Sequence, residues 1–132
     1  MTLLDTDVCI GILHANPLVL EHLKASSGPM AVPGMVVGEL YYGVEKSDWR
    51  EHNLERTEKL LASLPVYHPD TETMRIFGKL KAQQERNGTP VADADTIIAA
   101  TALSFGASLA TGNIRHFSRF AELQLENWFA WK

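Results

Sequence analysis

Cysteine occurs once in this chain, at Cys9, so no internal disulfide can staple it. Set between Val8 and Ile10, the thiol reads as a small core hydrophobe, and a reducing compartment is expected. Long apolar runs are also missing. Nothing approaches the roughly 20 residues that a membrane span needs, and the opening residues carry neither the charged nor the apolar region of a signal peptide. The expectation is a cytoplasmic protein with no membrane association. Positive charge is scarce: 12 Lys and Arg against 16 Asp and Glu leave a net charge of −4. That balance excludes a general basic coat for nucleic acid and leaves room only for local basic patches. The histidines, at 14, 22, 52, 68 and 116, are too dispersed for a zinc site. Repeats, low-complexity tracts and linkers are absent too.

What remains is a chain of 132 residues, 45% apolar and 21% charged, composed as one globular domain over 1–132. Short apolar runs that read as buried strands fall at 3–4, 30–32, 65–68 and 108–110, with a further one at 123–125. Between them the spacing predicts helices: one to about residue 14, one from Asn16-Pro17 to 24, and further ones over 35–47 and 49–64. A long helix capped by Asp70 is expected to run to 87 and close at Gly88, and a mostly apolar one spans 94–105. Short buried strands alternating with helices predict an α/β fold, a three-layer α/β/α arrangement around a short central parallel sheet. In such sheets ligands collect at the carboxyl ends of the strands, near a switch in strand order.

Acidic residues stand in unexpected places. "LLDTDVCI" puts Asp5 and Asp7 directly between apolar runs, where a carboxylate is costly to desolvate unless it is paired or binds a cation. One of the two can cap a helix starting near Thr6, which leaves the other unexplained. In "GELYYG", Glu39 falls on the edge of the stripe formed by Val36, Leu40, Gly43 and Val44. "VADADTIIAATALSFG" is a nearly all-apolar helix whose only acids, Asp93 and Asp95, lie at its amino end; one of them is expected to cap it. "LATGNIRHF" ends a strand in Thr111-Gly112-Asn113, followed by Arg115, His116 and Arg119, either a basic rim or a solvated face. All four segments should end at one edge of one sheet. Carboxylates converging there repel one another unless a cation sits between them, and hard oxygen donors suit Mg²⁺ or Mn²⁺.

Asp5 in "LLDTDVCI", Glu39 in "GELYYG", Asp95 in "DADTIIAATA" and the run "TGNIRHF" together resemble the PIN-domain ribonucleases, in particular the VapC toxins of type II toxin–antitoxin systems. The likeness covers the whole chain. It implies a Mg²⁺-dependent endoribonuclease, with Mn²⁺ able to substitute, that cleaves RNA, often tRNA, and is neutralised by a VapB antitoxin. It also implies a homodimer within a larger toxin–antitoxin assembly. By the same likeness Asp5 and Asp95 are the principal metal ligands, Glu39 a third acid, and Asn113 occupies a position where many relatives carry aspartate. Asp7 and Asp93 fall where the family does not require acids. Phosphate contacts are expected from Arg115, His116 and Arg119, with Arg86 and Lys81 next. Tyr41, Tyr42 and Trp49, on or just after the Glu39 helix, cannot all face the core and suggest a covered groove for the partner.

Two other readings stay open at this level. "LLDTD" also fits the opening of a haloacid-dehalogenase-like phosphatase with Asp5 as nucleophile, although that fold needs a lysine and an acidic pair downstream of Asn113, where the sole lysine is Lys132. A receiver-type signalling domain has the right size and offers Asp70 as phosphoacceptor, but lacks a lysine after its last strands.

Overall fold

The computed structural model describes residues 1–131; Lys132 lies outside them. Five strands, β1 (Thr2–Leu4), β2 (Met30–Pro33), β3 (Val66–Tyr67), β4 (Ser108–Thr111) and β5 (Leu125–Asn127), pair in parallel in the order β3-β2-β1-β4-β5. The helices α1 (Thr6–Leu13), α2 (Pro17–Ala25), α3 (Gly34–Glu45), α4 (Arg50–Ala62), α5 (Thr71–Arg86) and α6 (Asp93–Ser104) connect them, and one turn of helix, α7 (Ile114–Phe117), follows β4. This is the α/β/α layering that the sequence predicts. Leu3, Leu4, Val32, Leu109 and Ala110 have no exposed surface, as expected for strands covered on both faces.

Local chemistry explains most helix ends. Asn16 accepts from Leu18 and Val19 N–H with Pro17 at the first helical position, and Asp70 accepts from Thr73 N–H. Gly88 and Gly106 take positive φ, 71° and 63°, where α5 and α6 stop. The expected cap of α6 is a correction. Ala92 occupies the cap without a side-chain bond, Asp93 is drawn to Lys81 at 3.1 Å, and Asp95 lies in the first turn without capping it. The fifth strand also sits two residues later than 123–125. Leu123 is buried in the loop before it.

The strand order places the switch. From β1 the chain builds outward to β2 and β3, then returns across β1 to add β4 and β5. The crevice between the carboxyl ends of β1 and β4 is thus the expected ligand position. Asp5 follows β1 directly, and Thr111 ends β4.

Candidate active site

Asp5 joins strand to helix and works in both. Its backbone N–H bonds Ala110 O at 2.9 Å, extending the β1–β4 pairing. Its side chain caps α1 through Thr6 N–H at 2.8 Å and accepts from Thr111 Oγ1 at 2.6 Å. Only 6% exposed, the carboxyl is pushed by burial to about 7, with the neighbouring charges of Asp7 and Asp95 adding to the rise and the bond from Thr111 opposing it. The capping role and the unfavourable burial therefore fall on the same residue.

The other acids are gathered around it by hydrogen bonds from distant segments. Thr6 Oγ1 donates to Glu39 Oε1 at 2.6 Å, tying α1 to α3. Gly112 N–H donates to Asp7 Oδ2 at 2.9 Å, while Asp7 Oδ1 is buried with no partner. Burial raises the pKa of Asp7. Asp95, half-buried near the start of α6, is raised by burial and by the charges of Glu39 and Asp7, and lowered by His116. The four carboxyls thus act on one another across the β1–β4 crevice.

At the β4 tip, Asn113 N–H donates to Thr111 Oγ1 at 2.9 Å, so one hydroxyl links Asp5 to the following turn. The Asn113 amide donates to His116 Nδ1 at 3.0 Å, and that nitrogen lies 4.0 Å from Asp95 Oδ2. Gly112 admits no side chain: a Cβ there would lie 2.6 Å from the Phe129 ring and 3.0 Å from Asp7 Oδ2.

Asp5, Glu39, Asp95 and Asn113 are therefore brought to one place, with Asp7 and His116 among them. Arg115 is exposed on α7, and Arg119 just beyond it donates from Nη1 to Pro90 O at 3.1 Å. Lys81 is held by Asp93. Sequence reasoning missed the work of Thr6 and Thr111. A hydroxyl directly after an acid and another at a strand tip were the available signals. Among the described residues, no three His, Cys, Asp or Glu side chains enclose an ion-sized space as they stand. The donor set nevertheless fits a hard divalent cation: all oxygens, two of the carboxyls held above their ordinary range by burial and mutual repulsion, and one buried carboxylate oxygen unpartnered.

Beside the acids, a groove of about 260 Å³ runs between α1, α3 and α4, walled by Ile10, Leu13, Leu40 and Val44 and reaching Glu39 and Arg56. Tyr42 and Trp49 are 65% and 71% exposed, whereas the half-buried Tyr41 donates to Glu58. No helix among the described residues is long and apolar enough to cross a membrane.

Residues 2–123 match the family model of the PIN domain. The chain is 35% identical over 127 residues to ribonuclease VapC2 of Haemophilus influenzae, covering 96% of each chain. It is 34% identical to the tRNA(fMet)-specific endonuclease VapC of Shigella flexneri, again over 96% of both. Among solved structures it resembles DNA-bound VapBC from Salmonella typhimurium, with a TM-score of 0.90, 33% identity, and coverage of 96% of this chain and 97% of that one.

Proposed function

The chain belongs to the PIN-domain family, and from that footing we propose that it is a metal-dependent endoribonuclease, the toxin of a toxin–antitoxin pair. The observation that carries the reading is the buried Asp5 carboxyl at the β1–β4 switch, with Asp95 and Glu39 acting on the same space. The phosphatase and receiver readings each need a lysine late in the chain, and between Asn113 and Lys132 there is none.

Asp5 and Asp95 are the residues that would hold Mg²⁺ or Mn²⁺, with Glu39 assisting. When bound, such an ion supplies charge neutralisation and polarisation of a phosphodiester. The chain supplies the rest. Thr6 and Thr111 fix the carboxyls of Glu39 and Asp5, so that the acids are positioned before substrate arrives. Asn113 adds a neutral amide at the strand tip, where the fourth acid of many relatives stands, and His116 sits between it and Asp95. The acidic crevice repels RNA, so phosphates must be gripped at the rim. Arg115, His116 and Arg119 stand there in sequence along and just past α7.

The substrate is RNA, with tRNA favoured by the likeness to a tRNA-specific endonuclease. A VapB-like antitoxin is the partner. It lays an amphipathic segment in the groove between α1, α3 and α4, over Ile10, Leu13 and Val44, and directs a basic side chain toward Glu39; the exposed Tyr42 and Trp49 lie outside that groove. Residues 1–132 form a single nuclease domain, working in the cytoplasm as homodimers within a larger assembly.

The test is cleavage of structured RNA by partner-free protein with Mg²⁺ or Mn²⁺. EDTA should stop it, and Asp95→Asn should abolish it while the protein stays folded. Cleavage that persists in EDTA would overturn the metal-dependent reading.

A further inference from the structure

A second cavity, of about 350 Å³, opens between the carboxyl end of α5 and residues 119–122. Its polar lining is Gln83, Gln84, Arg86, Asn87, Arg119 and the single acid Glu122. It does not belong to the acidic crevice, yet it lies at the same end of the molecule. Only residues 87–92 separate the last turn of α5 from the first of α6, which carries Asp95. On the other wall, Arg119 N–H bonds His116 O at 3.3 Å, and His116 is the residue beside Asp95.

The cavity is a built feature. Gln84 is 5% exposed and spends both ends of its amide: Nε2 donates to Arg119 O at 2.8 Å, and Oε1 accepts from Thr89 Oγ1 at 2.7 Å. Together with the Arg119 bond to Pro90 O, these contacts lock residues 119–122 and the α5–α6 loop to one another. They engage one guanidinium N–H of Arg119 and leave most of its donors for a ligand. Lys81, a turn and a half earlier on α5, is neutralised by Asp93; among the described residues Arg86 and Arg119 have no carboxylate partner within ion-pair distance. Two arginines against one glutamate suit one phosphate group better than a polyanionic stretch, and the Gln83 and Asn87 amides suit a ribose hydroxyl or a base edge.

We propose that this cavity is an RNA subsite, holding one phosphate and its nucleoside away from the scissile bond so that the strand is anchored across the acidic crevice. It rests on the ribonuclease reading above and adds the position of a substrate contact. Because the contact is made equally before and during cleavage, it should act on binding more than on turnover.

The experiment compares a labelled RNA hairpin with the same hairpin carrying a single-stranded extension at its 5′ or 3′ side. Binding is followed by fluorescence anisotropy in EDTA across a salt series. One of the two extensions should tighten binding. In the double variant Arg86→Gln/Arg119→Gln that gain should shrink by about tenfold, and the salt slope should fall by about one in all, for the single phosphate no longer held. Arg86→Lys in the wild-type background should keep the slope and lose part of the gain. With Mg²⁺, KM for the extended RNA should rise more than kcat falls. The subsite is refuted if neither extension tightens binding, or if the folded double variant keeps the full gain and slope. Failure of the wild-type protein to bind or cut any RNA would instead refute the ribonuclease reading itself.

Discussion

Replacing Asp5 with asparagine separates the acid's chemical role from its structural one. Asp5 is 6% exposed, and burial lifts its pKa from an ordinary 3.8 to about 7. Below about pH 4 it is protonated in folded and unfolded chains alike, and well above about pH 7 it is ionised in both. In between, the folded protein holds the extra proton, so stability falls as pH rises through that window. At about 1.4 kcal/mol per pH unit the gap amounts to at most about 4 kcal/mol. Asparagine has the same shape. Its oxygen can keep the Thr6 cap and its NH₂ can donate to Thr111 Oγ1, at the cost of reorienting one hydroxyl. In EDTA at pH 8, Asp5→Asn should therefore melt higher than wild type, by roughly 4 °C for each kcal/mol recovered. The difference should vanish near pH 4. Asp7 and Asp95 are raised too, so the variant should keep a shallower slope of the same sign. Added Mg²⁺ should stabilise wild type at pH 8 and leave the variant nearly unmoved. Thermal unfolding followed by circular dichroism from pH 4 to 8 measures all of this. A variant that melts lower than wild type at pH 8, or a wild-type curve flat across the window, would refute the reasoning.

Gly112→Ala should lower stability by about 1–3 kcal/mol, because the new methyl meets the Phe129 ring and Asp7, and it should reduce RNA cleavage by displacing the Asn113 turn; urea titration and a cleavage assay read the two effects. Asn113→Asp adds a carboxylate to the crevice and should tighten divalent binding and raise activity at low Mg²⁺. Calorimetry should find one firm Mn²⁺ in the free wild-type protein; two equally tight ions would contradict this. Ile10→Glu, on a groove side chain that is 42% exposed, should weaken capture of the co-expressed antitoxin while the melting temperature changes little.

Strands and most helices were legible because their signals are local: apolar triplets, Asn16-Pro17, Asp70, Gly88 and Gly106. The fifth strand was displaced because Leu123-Gln124-Leu125 looks like alternation, whereas the paired segment carries Glu126, which Thr2, Ser108 and Trp128 satisfy with hydrogen bonds. One turn of helix, α7, is too short to show a period. The cap of α6 was misread because Asp93 answers to Lys81, 12 residues upstream. Within the site, the acids stood out as charges among apolar neighbours. The threonines did not, since Thr6 reaches Glu39 across 33 positions and Thr111 reaches Asp5 across 106. A hydroxyl in such a role looks like any other until the chain is folded.

The contact between Gly112 and Phe129 bears on the order of synthesis. β1 lies in the middle of a sheet whose other strands all follow it in the chain, β4 and β5 last. The Asn113 turn is backed by Phe129, and Trp128 beside it is wholly buried. Until those aromatics emerge, the crevice lacks both its β4 wall and the support behind that wall. A nascent chain that carries Asp5, Glu39 and even Asp95 is therefore not yet a nuclease. The crevice is thus completed only after β5 and the aromatics behind it have followed the acids into place.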